Sequence, residues 1–377
     1  MIPLSLYIHI PWCIRKCPYC DFNSHQAPEA LPESAYVEAL LADFKQEMLQ
    51  VGSRPLHSIF IGGGTPSLFS APALDQLITG IDHINPLASD TEITLEANPG
   101  TFEQQRFTDY RQIGINRLSI GVQSYNQTHL QALGRVHDAD EALKAASIAK
   151  QAGFDNFNLD LMFGLPEQSI DQALKDLQQA IACQPTHLSW YQLTLEPNTL
   201  FHHQPPMLPE HEILWDMQHA GQMLLAKHHY QQYEVSAYSQ ANRQCQHNRN
   251  YWEFGDYIGI GAGAHGKLTD TQGVITRHQK YRQPKQYLEH AQQGRFRSSE
   301  VILGHDELPF EFMLNALRLK SGVPHTLYTQ RTGQSIASLS PILQQAETAG
   351  LLKEDDKQFC CTEQGWRFLD NTLSLFL

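Results

Sequence analysis

Long apolar runs are absent from this sequence of 377 residues. None approaches the roughly 20 consecutive apolar residues that a membrane-spanning helix needs. The first apolar run, Leu4 to Ile10, is short, includes a histidine, and lacks the basic leader and small-residue cleavage site of a secretory signal. We therefore expect a cytoplasmic protein with no transmembrane segment.

Positive charge is also scarce, since 27 lysines and arginines face 40 acids and the formal net charge is −13. Nucleic acids and anionic membranes carry negative charge, so an acidic protein is a poor general partner for them. The last stretch, residues 305–377, has nine acids and six bases. We expect no nucleic-acid partner, and an anionic ligand would need a local basic patch.

Cysteine is sparse and unevenly placed, because three of the seven lie at positions 13, 17 and 20 and the others are scattered. This spacing does not indicate a disulfide framework. A structural zinc site usually takes four ligands from two separated pairs, and no second CxxC pair is present. Three thiolates satisfy three irons of a four-iron cube and leave one iron open. The triplet favours a [4Fe-4S] cluster on Cys13, Cys17 and Cys20, with zinc or inert thiols as alternatives.

Six short β-rich runs alternate with segments of helical periodicity. The runs begin at Leu4, Ser58, Thr91, Arg117, Asn156 and His187. Strands that alternate with helices form parallel sheets through right-handed crossovers. Six units are fewer than the eight of a closed barrel, so the predicted fold class is α/β, an open partial (β/α)6 barrel with its chemistry at the carboxyl ends of the strands. The cysteine triplet directly follows the first run and therefore lies at that face.

The character of the chain changes twice after the barrel. The stretch from Arg243 to Arg297 is polar and has nine bases against four acids. Beyond it, two helical segments, a hairpin and a final helix resemble a winged-helix arrangement. The sequence predicts a barrel at residues 1–240, a connecting basic segment at 241–304 and a small C-terminal helical domain at 305–377.

The spacing Cys13-x3-Cys17-x2-Cys20, together with Gly62-Gly63-Gly64-Thr65-Pro66 after the second strand, resembles the radical SAM signature. Over nearly its whole length the chain looks like the branch that contains oxygen-independent coproporphyrinogen III dehydrogenases and the HemW family, with a HemN-type C-terminal domain. The resemblance implies S-adenosylmethionine at the open iron. It places the ligand positions of the family on Tyr7, Tyr19, Gly63, Gly64, Thr65, Glu96, Gln123, Arg135 and Asp160.

These residue types suit that ligand. Carboxylates accept hydrogen bonds from ribose hydroxyls, and an arginine can grip a carboxylate with two parallel hydrogen bonds. Glycines allow the backbone to approach a ligand closely.

Two departures separate this chain from the dehydrogenase pattern. The pattern that the dehydrogenases resemble, CxxxCxxCxC, has a further cysteine two residues after the third. In this chain Phe22 stands at that position. The dehydrogenases also carry an N-terminal extension, which we expect to be absent here because the chain begins three residues before the first strand. The sequence therefore favours a protein without porphyrinogen oxidase activity, on a scaffold that retains the parts for reductive S-adenosylmethionine cleavage.

The run from His247 to Trp252, HNRNYW, resembles the HNxxYW motif of the HemW family. Imidazole is a common ligand of haem iron, and aromatic rings can pack on a porphyrin. The resemblance implies haem contact at His247, Tyr251 and Trp252, with nearby bases for the propionates. It implies a haem chaperone that passes haem to acceptor proteins such as respiratory enzymes, with an electron donor for its cluster.

Two other functions remain open from the sequence. One is a radical enzyme of the coproporphyrinogen III dehydrogenase type, and the other is a catalytically silent interaction protein that keeps the cluster for its structure.

Overall fold

The computed structural model describes residues 1–100 and 106–377, and its centre is a row of six parallel strands. They are β1 (Leu4–Ile10), β2 (Leu56–Gly63), β3 (Glu92–Ala97), β4 (Arg117–Gln123), β5 (Phe157–Phe163) and β6 (His187–Gln192). Each strand pairs in parallel with the next one along the chain. Every predicted β-rich run forms one of these strands, so the open (β/α)6 arrangement is confirmed.

Helices cover the sheet and explain why the strands are so apolar. In β1 every residue except Tyr7 is buried, as expected for a parallel strand covered on both faces. The helices between the strands and up to the end of the barrel are α1 (Glu33–Val51), α2 (Ala71–Ile84), α3 (Phe107–Gln112), α4 (Gln127–Ala132), α5 (Ala139–Gln151), α6 (Ile170–Ala182), α7 (Leu200–His203) and α8 (His211–Lys227). Asp138 and Ser169 begin α5 and α6 with reciprocal capping boxes, which satisfy backbone N–H groups that a helix start leaves free.

The sheet continues on both sides of the six strands. Beside β6 lies an antiparallel hairpin of β7 (Gln231–Glu234) and β8 (Ala237–Ser239). Beside β1 lie β9 (Asp256–Ile260), β10 (His265–Thr269), β11 (Ile275–Lys280) and β12 (Arg297–Ile302). Of these, β9 pairs in parallel with β1 and the others follow it in antiparallel order.

The predicted connecting segment 241–304 thus contributes four strands to one twelve-stranded sheet. It also contains two helices, α9 (Gln246–Trp252) and α10 (Pro284–Ala291). The domain boundaries after residues 240 and 304 stay a prediction.

Two lysines of this segment are buried in ion pairs. Lys280 contacts Asp43 at 2.5 Å and Glu47 at 2.6 Å, both on α1. Lys267 contacts Asp256 at 3.1 Å, with both side chains almost fully buried. Lys280 joins β11 to α1 of the barrel, whereas Lys267 joins β10 to β9. Neither lysine is free to meet a haem propionate, which corrects the expectation of nearby bases for the propionates at these two positions.

The C-terminal unit is helical and contains one small antiparallel sheet. Its helices are α11 (Leu308–Ala316), α12 (His325–Thr332), α13 (Ser340–Thr348), α14 (Glu363–Arg367) and α15 (Leu369–Leu373), and its strands are β13 (Val323–Pro324), β14 (Leu352–Glu354) and β15 (Gln358–Cys361). Phe312, Tyr328 and Phe359 lie in its apolar core, which also takes in Phe254 from the preceding segment. The predicted helical, winged-helix-like domain with its hairpin is present.

The remaining short elements are 3-10 turns and two-residue bridges. They are Pro66–Leu68, Ile336–Leu339, Ser374–Phe376, Trp12–Cys13 and His25–Gln26. Within the described residues, no helix combines the length and apolar character needed to cross a membrane.

Candidate functional site

One large cavity, of about 1340 Å³, extends from the carboxyl ends of the barrel strands to the C-terminal unit. Most of the residues singled out from the sequence line it. They are Cys13, Cys17, Tyr19, Cys20, Gly63, Gly64, Thr65, Glu96, Gln123, Arg135, Asp160 and Trp252. Tyr7, His247 and Tyr251 lie outside its wall. The structure therefore gathers the predicted cluster and S-adenosylmethionine residues, apart from Tyr7, around one space.

The three clustered cysteines lie on the loop after β1, and all seven cysteines are free. Cys13 is buried, whereas Cys17 and Cys20 are partly exposed, and the backbone N–H of Cys20 donates to the carbonyl oxygen of Cys17 at 3.1 Å. Nη1 of Arg135 donates to Sγ of Cys17 at 3.7 Å. Burial raises the pKa of the Cys13 and Cys20 thiols. Both remain protonated without a metal, and a coordinated metal would deprotonate them.

The glycine turn after β2 packs directly against the cysteine loop. A Cβ atom added to Gly64 would lie 2.6 Å from the carbonyl oxygen of Trp12, and one added to Gly63 would lie 2.6 Å from the His9 ring. The backbone N–H of Thr65 donates to the same Trp12 oxygen at 2.7 Å. Any side chain at these glycines would push the two loops apart, so the residue types fit a close backbone approach.

Two carboxylates, one on β3 and one on β5 with β4 between them, face the cavity. Oε2 of Glu96 accepts a hydrogen bond from the backbone N–H of Gly63 at 3.0 Å. Asp160 accepts hydrogen bonds from Oγ of Ser119 at 2.9 Å and from Nδ2 of Asn158 at 2.8 Å. Burial raises the pKa of both groups, and the charge of Asp160 helps to raise the pKa of Glu96 to about 8. A ligand that brings hydroxyl donors would stabilise their charged forms.

Arg135 links the cysteine loop to the strand ends. Its Nη2 donates to Oδ1 of Asn98 at 2.6 Å and to the carbonyl oxygen of Gly121 at 3.0 Å. Its buried Nε has no hydrogen-bond partner among the described residues. Nδ2 of Asn98 donates in turn to Oγ1 of Thr65 at 3.3 Å. Sequence reasoning missed Asn98, although its place just after β3 could have indicated it.

The other predicted ligand positions differ in their setting. Gln123 has a φ of +67°, and its Oε1 accepts a hydrogen bond from the hydroxyl of Tyr191 at 2.9 Å. Tyr19 lines the cavity beside the thiols. The hydroxyl of Tyr7 instead bonds to Nδ1 of His9 at 2.9 Å. Tyr7 therefore supports the ring against which the glycine turn packs and does not face the cavity.

The HNRNYW motif forms α9 and presents two different faces. His247 is 1% exposed, its Nδ1 bonds to Oγ of Ser58 at 3.0 Å, and its Nε2 bonds to the hydroxyl of Tyr251 at 2.8 Å. Burial lowers the pKa of His247 to about 3, so the ring is neutral. Because both ring nitrogens have partners, an iron could bind only if one bond broke. This arrangement does not fit the interpretation of His247 as a haem ligand.

The other face of α9 is turned toward the cavity, which Asn248 and Trp252 line. The guanidinium of Arg318 lies over the Trp252 ring at 4.3 Å, a favourable cation–π contact. Arg117 lines the same cavity and is 2% exposed. Sequence reasoning missed both arginines. An arginine within the apolar run RLSIGVQ was the available signal for the second one.

Comparison with known families identifies two parts of the chain. The model of the radical SAM superfamily matches residues 7–180, and that of the HemN C-terminal domain matches residues 303–368. Among solved structures, coproporphyrinogen III oxidase (HemN) from Escherichia coli superposes with a TM-score of 0.84 at 22% identity, covering 100% of this chain and 90% of that one. This likeness shows a shared fold.

Full-length relatives are more informative. The chain is 50% identical over 375 residues to heme chaperone HemW of Escherichia coli (strain K12), covering 100% of this chain and 98% of the relative. It is 48% identical over 379 residues to the protein of that name from Haemophilus influenzae, with the same coverage. It is 32% identical over 381 residues to the mitochondrial radical S-adenosyl methionine domain-containing protein 1 of Bos taurus, covering 98% and 86%. Identity of this size over the whole length shows that the chain belongs to the HemW family of the radical SAM superfamily.

Proposed function

We propose that this protein is a haem chaperone, which binds haem, transfers it to acceptor proteins and carries a [4Fe-4S] cluster with S-adenosylmethionine at the open iron. One observation carries the proposal. Relatives named heme chaperone match the chain over its full length at 50% and 48% identity.

The cluster would be held by Cys13, Cys17 and Cys20. The donor set fits, because three thiols on one loop border an open cavity, whereas a structural zinc site would need a fourth ligand. The N–H group of Arg135 that points at Cys17 would stabilise a thiolate there. When bound, the cluster would supply an iron with a vacant position and a means of storing one electron, so an electron donor is a further expected partner.

S-adenosylmethionine would lie between the glycine turn and the two carboxylates. Gly63 and Gly64 would let the turn lie close to the cysteine loop at one side of the ligand. Glu96 and Asp160 would accept hydrogen bonds from ribose hydroxyls, and Arg135 would meet the ligand carboxylate. The remaining residues of the proposed site are Tyr7, Tyr19, Thr65 and Gln123. In that set Tyr7 acts through His9.

Haem would contact the cavity face of α9 through Trp252. His247 and Tyr251 then have a positioning role, since their bond to each other and to Ser58 holds the helix that presents Trp252. In this proposal the motif remains part of the haem site, but the ligand of the haem iron is another residue in the cavity wall. His219 is an exposed imidazole in the cavity wall and is a candidate for that ligand.

The alternative is a radical enzyme of the coproporphyrinogen III dehydrogenase type, which the shared fold with HemN favours. Phe22 argues against it. This residue is 60% exposed and lines the cavity. It stands at the position where the dehydrogenase pattern has a further cysteine. A phenyl ring offers no sulfur for coordination or redox chemistry, so we expect no conversion of coproporphyrinogen.

The test combines both activities in one anaerobic preparation. Cluster-loaded protein is titrated with haem, mixed with an apo-acceptor and, separately, incubated with a reductant, S-adenosylmethionine and coproporphyrinogen. Haem uptake and transfer without decarboxylated product is the expected result. Porphyrinogen turnover without haem uptake would establish the enzyme instead. If the protein shows neither activity, the silent interaction protein becomes the supported function.

A further inference from the structure

Arg117 is a buried cation that forms no ion pair with any residue the structure describes. It begins β4, is 2% exposed and lines the cavity. Within residues 1–100 and 106–377 it forms no ion pair, and its Nε has no hydrogen-bond partner. An arginine stays charged at any physiological pH, and an unpaired buried charge is strongly unfavourable. Arg117 thus presents to the cavity a positive charge that forms no ion pair within the described residues.

The nearest acids are already engaged elsewhere. Glu92 and Asp160 both attract Arg117 electrostatically. Oε1 of Glu92 accepts hydrogen bonds from two backbone N–H groups at the start of α9, at 3.0 and 3.2 Å. The two oxygens of Asp160 accept hydrogen bonds from Ser119 and Asn158. Both carboxylates therefore already have hydrogen-bond donors, and neither forms an ion pair with Arg117 in the described part of the chain.

Other unpaired groups in the same wall are also donors. The indole N–H groups of Trp190 and Trp252 are buried and have no partner among the described residues, and neither has Nε of Arg318. All three side chains line the cavity. This part of the wall thus combines aromatic faces with hydrogen-bond donors, and it suits a flat ligand that brings acceptor oxygens.

We propose that Arg117 binds a carboxylate of the ligand that occupies this cavity, which for a haem chaperone is a haem propionate. The inference rests on the proposed haem-binding function. A guanidinium and a carboxylate can form two parallel charge-assisted hydrogen bonds, which would supply the missing counter-charge. The cavity, of about 1340 Å³, exceeds the roughly 300–1,000 Å³ of ordinary small-ligand sites and leaves room for a macrocycle beside Trp252.

The substitution Arg117→Met distinguishes a role of Arg117 in ligand binding from a role in stabilising the fold. Removing an unpaired buried charge should raise the thermal midpoint of the haem-free protein by at least about 2 °C. The same change should weaken haem binding by about tenfold to a hundredfold. If Arg117 only held the fold, the midpoint would fall. The matched control is Arg54→Met, because Arg54 is paired with Asp256 at 2.9 Å. This substitution should lower the thermal midpoint and leave the haem affinity unchanged.

A chemical probe tests the inference without any mutation. Haem dimethyl ester keeps the macrocycle and iron but has no carboxylate, so the wild-type protein should bind it more weakly than haem. Arg117→Met should discriminate about tenfold less between the two ligands. A wild-type protein that binds both equally, or a variant that discriminates as the wild type does, would overturn the inference and leave the haem chaperone intact. A wild-type protein that binds neither ligand would overturn the proposed function itself.

Discussion

Glu96 should make the affinity for S-adenosylmethionine depend on pH. Its carboxyl group lies at the cavity wall, where burial and the charge of Asp160 raise its pKa from 4.5 to about 8. At about pH 7 the group is therefore roughly nine-tenths protonated, and at about pH 9 it is mostly ionised. The change spans the range in which the protein can be assayed.

The sign follows from the hydrogen bonds that the ligand would make. Ribose hydroxyls donate more strongly to a carboxylate than to a carboxylic acid. Because the ionised form binds, the affinity should rise as the pH passes upward through the raised pKa. Between about pH 7 and pH 9 the gain is about tenfold, which corresponds to about 1.4 kcal/mol. The variant Glu96→Gln keeps the shape and loses the ionisation, so this gain should vanish.

Anaerobic titration of cluster-loaded protein across this pH range measures the effect. The amino group of the ligand titrates in the same range, so the informative quantity is the ratio of wild-type to variant affinity at each pH. We expect this ratio to grow about tenfold from the lowest to the highest pH. A ratio that stays constant would refute the reasoning, since it would mean that ionisation of Glu96 does not contribute to binding.

Three further changes test the rest of the site. Cys17→Ser should abolish the four-iron cluster in iron and sulfide analysis, whereas Cys183→Ser should retain it; a full cluster in the first variant would contradict the assignment. Gly64→Ala should lower the free energy of unfolding by about 1–3 kcal/mol in denaturant titration and reduce cluster content; an unchanged free energy of unfolding would contradict the close approach of the two loops. His247→Ala leaves two buried groups unpaired and should lower the free energy of unfolding by about 2 kcal/mol or more, while the ligand set of the haem iron, read from its spectrum, stays the same; loss of an imidazole ligand from the iron would restore His247 as an iron ligand.

The barrel strands could be predicted because each is a short apolar run bounded by turn residues, and that pattern follows from burial on both faces. The position of β9 beside β1 could not. The two strands are separated by about 250 residues, and an apolar pattern says that a strand is buried without saying which strand lies next to it. The polar composition of residues 241–304 therefore predicts a segment that connects two domains, while in the structure these residues extend the sheet.

The cluster loop was the most predictable part of the site, because thiol spacing directly reflects the geometry of a cluster. The buried direction of His247 could not be predicted from the motif, since a motif gives residue types and not the face of a helix on which they lie. Recognising α9 would have placed His247 and Tyr251 four residues apart on one face. Arg117 was missed because a charge at the start of a strand usually indicates an exposed end.

The central position of β1 also affects how the chain is made. One edge of β1 pairs with β2, but its other edge stays unpaired until β9 has been synthesised, and β9 begins about 250 residues later. At a synthesis rate of about 5–20 residues per second, that edge stays open for roughly 12–50 seconds. Unpaired strand edges are sites of aggregation. During this interval the loop with the three thiols follows a strand that is paired along only one edge. The pairing of β9 with β1 therefore completes the support of that loop.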